Sequence, residues 1–166
     1  MFIAWLYSNV SDSRTPVSIT GRKLIVADGD SFAIGSQKLR MDGIDAPEYL
    51  QTCSDAAGKP WNCGHKARTS LEQMLREPGL ACVADAQDRY SRSIVTCSNN
   101  RLSDIAAAQV TQGHAVSDDY FGIRSYGDEE DAARLARLGI WTGEFMLPSE
   151  WRARHPTLRT NTVPAE

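Results

Sequence analysis

The chain has 166 residues, 42% hydrophobic and 23% charged, which suits one domain around one core and excludes disorder except at the ends. A net charge of −3 and a pI near 5.6 exclude strong non-specific attachment along a duplex, while leaving room for a local basic cleft. Four cysteines without a C-x-x-C pair argue against a structural zinc site.

Met1–Val10 is apolar, without a basic leader, and too short to span a bilayer. It reads as the remnant of a trimmed export signal or anchor, or as an appended segment. No transmembrane segment is expected elsewhere. Ser11–Pro16 is polar and reads as a linker, so residues 1–16 precede a domain expected over 17–151. Val17 to Ile44 predicts a three-strand meander with turns at Asp28-Gly29-Asp30-Ser31 and at Gly35-Ser36. Gly29 and Gly35 suit hairpin turns because glycine takes positive φ without steric cost. The third strand runs into Asp45-Ala46-Pro47-Glu48, and Tyr49–Asn62 is irregular.

Gly64–Arg76 predicts a helix, with Ala67, Leu71, Met74 and Leu75 on one stripe and Pro78-Gly79 ending it. Leu80–Ala86 and Ser93–Ser98 follow as strands four and five. A second helix is expected over Leu102–Gln112, then a loop carrying Tyr120, Phe121 and Arg124. A third helix covers Gly127–Leu138, with acids in its first turn and Arg134 and Arg137 at its end. Residues 152–166, with Arg152, Arg154, His155 and Arg159, read as a solvated basic tail that adds at most a little phosphate attraction. Five strands with a helix between the third and fourth suit an α+β chain built on a five-stranded Greek-key barrel, the OB-fold, with three α-helices.

The cysteines Cys53, Cys63, Cys82 and Cys97 allow three pairings. If the fourth and fifth strands form a hairpin turning at Arg89-Tyr90, Cys82 falls opposite Cys97, close enough for a disulfide. Cys53 and Cys63 would then close a small loop. Two disulfides favour an exported protein, periplasmic or secreted; four buried free thiols in a cytosolic protein are the alternative.

Two consecutive hairpins bring the Asp28/Asp30 turn near Asp45–Glu48, with Arg40 beside them. Carboxylate oxygens of this kind suit a hard divalent cation, and a guanidinium next to a cation describes a phosphate site. Taken singly, these residues have plainer readings. Asp28 and Asp30 can be turn formers, Arg40 a strand residue paired with Glu48, and Pro47 a strand end.

The segments Asp28-Gly29-Asp30-Ser31, Arg40 with Asp45, Pro47 and Glu48, Asp88-Arg89-Tyr90-Ser91-Arg92 and Gly139-Ile140-Trp141 together resemble the thermonuclease (staphylococcal nuclease-like) family. Their family counterparts are a DGDT turn, an R-x-x-x-x-D-x-P-E run, a D-[KR]-Y-G-R hairpin and a closing signature. The likeness runs from about Val17 to Trp151 and fits an exported bacterial type with extra cysteines. It implies an OB-fold and calcium-dependent cleavage of DNA and RNA, preferring single strands and leaving 3′-phosphate ends. It carries calcium to Asp30 and Asp45, with the Ala46 carbonyl as a third ligand. Glu48 is then the base, and Arg40 and Arg92 clamp the phosphate. By the same resemblance Tyr90 touches a phosphate and Tyr120 is the candidate base-stacking residue. Ser31 and Ala46 stand where threonine is common, Ser91 where glycine is, and Asp118 and Asp119 intrude before Tyr120. The acidic charge and that altered loop support the alternative of a non-catalytic OB-fold module. Such a module would bind an oligosaccharide or protein partner, for example in exopolysaccharide biosynthesis.

Overall fold

The structure, a computed structural model, describes residues 14–120 and 122–156; the apolar start, Phe121 and the tail from residue 157, including Arg159, lie outside the described residues. The strands are β1 (Thr15–Pro16), β2 (Leu24–Val26), β3 (Ser31–Ile34), β4 (Gln37–Met41), β5 (Ile44–Asp45), β6 (Cys53–Ser54), β7 (Pro60–Trp61), β8 (Ala81–Gln87), β9 (Ser93–Ser98), β10 (Val116–Ser117), β11 (Asp119–Tyr120) and β12 (Ile123–Arg124). The helices are α1 (Cys63–Leu75), α2 (Ile105–Thr111), α3 (Gly127–Leu135) and α4 (Pro148–Arg154), with a 3-10 turn over Gly139–Thr142.

The main sheet is mixed, in the order β1-β8-β9-β4-β3-β2, with β4 and β9 parallel and the other neighbours antiparallel. The α+β class is as expected, but the five-stranded closed barrel with three helices is not what the chain builds. The edge strands β1 and β2 do not pair with each other, so the six-stranded sheet stays open, and β5 pairs with β10 in a separate ladder. The extra strand comes from the expected linker. Thr15 and Pro16 pair with Ala84 and Val83 at the sheet edge, where a proline costs no ladder bond. The fourth helix, α4, starts with Pro148 in its first turn and runs on through Trp151 and Arg152.

Strand alternation sets two faces. In β4, Leu39 and Met41 are buried in the core, and Phe32 and Ile34 join them from β3. Arg40 therefore points to the other face, and Ser31, directly opposite it in register, shares that face. The predicted α1 stripe is buried as Ala67, Leu71, Met74 and Leu75, closing the core with Val95, Ile105 and Val110. α2 begins at Ile105 rather than Leu102, because Asp104 accepts the Ala107 N–H at 3.1 Å as its N-cap. α3 ends three residues early, since Arg137 turns to a φ of 51°.

Both disulfides form, Cys82–Cys97 across the β8–β9 ladder and Cys53–Cys63 around the loop before α1. The second bond belongs to a smaller apolar cluster with Val116 and Ile140, flanked by Trp61, Trp141 and Phe145. Thus Gly139-Ile140-Trp141 is a packing element. Ile140 is fully buried, and Trp141 meets Phe145 edge-on at 4.9 Å. Among the described residues no helix is long and apolar enough to cross a membrane.

Candidate phosphate and cation site

The turn before β3 is tied by its own aspartate. Asp28 Oδ1 accepts the N–H groups of Asp30 (3.1 Å) and Ser31 (2.8 Å). Gly29 is needed for closeness and not for positive φ. A Cβ there would stand 2.7 Å from the Cβ atoms of both Ala46 and Ala67. The bare backbone lets the turn press on α1 and on the Asp45–Glu48 segment at once. From below, fully buried Gln109 donates to the carbonyls of Gly29 (2.7 Å) and Ala67 (3.1 Å).

Arg40 links the two candidate ligands. Its Nη1 donates to Asp30 Oδ1 at 2.8 Å, and its Nη2 to Asp45 Oδ1 and the Ile44 carbonyl, each at 3.1 Å. Among the described residues three of its five N–H groups are used, which leaves two for a ligand. Asp30 also accepts from Ser31 Oγ at 2.6 Å and, through Oδ2, from the Ala46 amide at 3.0 Å. Burial alone would raise the Asp30 carboxyl, but Arg40, Ser31 and Ala46 outweigh it and hold it low. Arg40 itself is pushed up by Asp30 and Asp45 against the opposing effect of burial, so it stays charged.

Arg92 arrives from the β8–β9 hairpin. Asp88 orders that hairpin by accepting the N–H groups of Tyr90 (2.8 Å) and Arg92 (3.0 Å) and the Arg92 Nε at 2.8 Å. The free end of the guanidinium then reaches Ser31 Oγ at 3.3 Å, one hydroxyl away from Asp30. Ser91 pays for the missing glycine with a φ of 61°, a left-handed conformation costing roughly 1–2 kcal/mol for an L-residue. Tyr90 is 54% exposed beside the guanidiniums of Arg89 (4.9 Å) and Arg92 (5.6 Å). Tyr120 has its backbone in β11, paired with Ile123 of β12; its side chain lies outside the described residues. Asp118 lies 3.9 Å from Arg40 and so faces the cluster.

Glu48 is placed by backbone contacts. Its carbonyl accepts the Gln51 N–H at 2.7 Å, and Gly64 at the start of α1 leaves room for it. Its carboxyl is raised by burial, with Asp30 and Asp45 adding to the rise and Arg152 opposing it. Asp28 is raised well above the usual carboxylate range by burial, then by Asp30 and Glu48. Asp118 is raised by burial, then by Asp45.

Arg152 is the residue that the sequence reading missed. Expected in a solvated tail, it donates from Nη1 and Nη2 to Asp45 Oδ1 (2.7 Å) and Oδ2 (2.9 Å), and from Nη1 to Glu48 at 3.0 Å. The available signal was the helix pattern of Pro148-Ser149-Glu150-Trp151-Arg152, with proline and an acid leading and arginines closing.

The donor set fits a hard cation. Asp28, Asp30, Asp45, Glu48 and Asp118 outnumber Arg40 and Arg152, and neighbouring carboxylates add to the burial that raises Asp28, Glu48 and Asp118. Among the described residues Asp45 Oδ2 accepts one hydrogen bond, from Arg152, whereas the Asp30 carboxylate, besides accepting the Ala46 amide through Oδ2, shares a side-chain hydrogen bond with Asp28. Among the described residues, no three His, Cys, Asp or Glu side chains stand ready-made as a metal cage. Any ion here would complete its coordination with oxygens from water or ligand.

The chain is 28% identical over 134 residues to the succinoglycan biosynthesis protein ExoI of Rhizobium meliloti (strain 1021), covering 80% of this chain and 70% of that protein. It is 23% identical over 161 residues to the probable staphylococcal-like nuclease CAN2 of Oryza sativa subsp. japonica, covering 95% of this chain but only 40% of the rice protein. Residues 38–143, which include Arg40, Asp45, Glu48 and Arg92, match the family model described as staphylococcal nuclease homologue, and the chain belongs to that family.

Proposed function

We propose that the chain is an exported, calcium-dependent phosphodiesterase on an OB-type scaffold that hydrolyses DNA or RNA, preferring single strands. The observation that carries this reading is the gathering of Asp30, Arg40, Asp45, Glu48 and Arg92, in which Arg40 joins Asp30 to Asp45, Ser31 joins Arg92 to Asp30 and Arg152 joins Glu48 to Asp45. Asp30 and Asp45 would hold the ion, with the Ala46 carbonyl as a further oxygen. Calcium, when bound, supplies Lewis-acid charge neutralisation and a template for phosphate oxygens. Glu48 takes the proton of the attacking water, and its raised proton affinity brings it nearer the operating pH, where a general base works best. Arg40 offers its two remaining N–H groups, and Arg92 its Nη1 end, to the phosphate oxygens as negative charge builds. Exposed Tyr90 at the hairpin tip adds a contact to a neighbouring phosphate, and Tyr120 is the candidate for stacking a base. The two disulfides support an oxidising compartment, periplasmic or extracellular.

Release of acid-soluble nucleotides from heat-denatured DNA, with calcium against a chelator, tests the reading. Calcium-dependent release, lost in Glu48→Gln, is the expected result. No release by the parent under any calcium concentration would overturn it.

A second reading has its own support. Arg152 engages both oxygens of Asp45, and one relative is named for succinoglycan biosynthesis. On that reading the fold is a non-catalytic module for an oligosaccharide or protein partner. Inactivity toward nucleic acid, with saturable binding of an acidic polysaccharide, would favour it.

A further inference from the structure

α4 is short, and its attachment to the site runs through one side chain. Among the described residues, the hydrogen bonds between α4 side chains and the rest of the fold are those of Arg152 to Asp45 and Glu48. Trp151 instead stacks on His155 just beyond the same helix, with ring centroids 4.2 Å apart. The segment entering the helix is held separately, by Gln51 Nε2 donating to the Met146 carbonyl at 2.7 Å. α4 could therefore release its hold on the acids without unthreading the chain that leads to it.

The carboxylates that Arg152 takes are those assigned above to a cation and to the attacking water. Asp45 Oδ1 already accepts from Arg40, so the added Arg152 bond engages both of its lone pairs. The pair is only slightly exposed, 21% for the Arg152 side chain and 6% for that of Asp45. Screening by salt is weak there, and a second cation brought to the same oxygens meets strong like-charge repulsion.

We propose that Arg152 is an internal counter-ion that occupies Asp45 and Glu48 in the metal-free protein, so that docking of α4 and binding of a divalent cation exclude one another. This rests on the calcium reading of Asp30 and Asp45. By linkage, whatever docked α4 costs the cation in affinity, the bound cation costs α4 in docking. The free protein thereby keeps Asp45 and Glu48 paired within its acid cluster, and release of the C-terminal helix becomes part of loading the site.

Calorimetric titration with calcium chloride alone, on the parent, Arg152→Gln and Asp45→Asn, is the first test. Arg152→Gln should bind calcium at least tenfold more tightly than the parent, and Asp45→Asn should lose binding. Parental or weaker affinity in Arg152→Gln, with binding still lost in Asp45→Asn, overturns the proposal and leaves the calcium reading standing. Absence of binding in both the parent and Arg152→Gln overturns the two together. The second test needs no variant. Calcium should speed amide hydrogen exchange across residues 149–155 of the parent, and unchanged or slower exchange at saturation refutes the mutual exclusion.

Discussion

Gly64→Ala is expected to pull Glu48 out of the site while leaving its side chain intact. Gly64 is the second residue of α1, and a Cβ there would stand 1.7 Å from the Glu48 carbonyl oxygen. It would also stand 2.7 Å and 2.9 Å from the carbonyl carbons of Glu48 and Tyr49. Both partners are backbone, so no flexible side chain can give way. The Glu48 peptide would have to retreat by about 1 Å or more, and overpacking of this kind typically costs about 1–3 kcal/mol. Two hydrogen bonds resist the retreat, Gln51 N–H to the Glu48 carbonyl (2.7 Å) and Gly64 N–H to the Gln51 carbonyl (3.1 Å), each contributing about 0.5–1.5 kcal/mol. Against this, alanine is favoured over glycine in a helix interior by about 1 kcal/mol, and by less in the first turn. The clash wins, for a net loss of about 1–3 kcal/mol. At about 2–4 °C per kcal/mol for a chain of this size, Tm should drop by about 2–12 °C. A displacement near 1 Å at a catalytic group costs on the order of 10² in rate. Circular-dichroism melting and calcium-dependent hydrolysis of denatured DNA read the two effects. An unchanged or higher Tm with parental kcat would refute the claim that this contact positions Glu48.

Other variants separate charge from shape. Asp28 is raised by burial, so its stabilising contribution is full below the unfolded value near 3.9 and is lost as pH rises through the folded value. Asp28→Asn keeps the acceptor for the Asp30 and Ser31 amides and removes the ionisation. In calcium-free urea unfolding it should be more stable than the parent at neutral pH and no better at about pH 3; an equal change at both would count against a titrating Asp28. Arg40→Lys and Arg92→Lys keep charge but lose the planar fork, and each should lower kcat by about 10²–10³, with the double variant falling short of the product. Near-parental rates on denatured DNA would dismiss the clamp. Ser91→Gly should relieve the left-handed strain and raise stability by up to about 1 kcal/mol in urea unfolding, and a loss would mean that the Ser91 side chain holds the hairpin. Replacing Cys82 and Cys97 together by alanine should cost about 3 kcal/mol, given a loop separation of 15 residues, and a negligible change in the urea midpoint would contradict that.

What could be read from the sequence was what short-range rules govern. The α1 stripe at i, i+4, i+7 and i+8 is buried as expected because helical period alone decides which face meets the core. Cys82 opposite Cys97 followed from hairpin register, and the gathering of Asp28, Asp30, Arg40 and Asp45 from two consecutive tight turns. Where the sequence misled, long-range contact was responsible. Gly29 reads in the sequence as a positive-φ turn residue, yet its role is to let Ala46 and Ala67, far along the chain, come within contact of its backbone. Thr15–Pro16 became a strand only because β8 offered it a free edge. The sheet stays open because its edge strands β1 and β2 do not meet, which no local pattern decides. Arg152, 107 residues from Asp45, has no local pattern that points to an acid partner. Local spacing determined the elements and the gathering of Asp28, Asp30, Arg40 and Asp45, while the pairing of α4 with the acid cluster was decided in three dimensions, where a buried excess of carboxylates drew in the cation within reach.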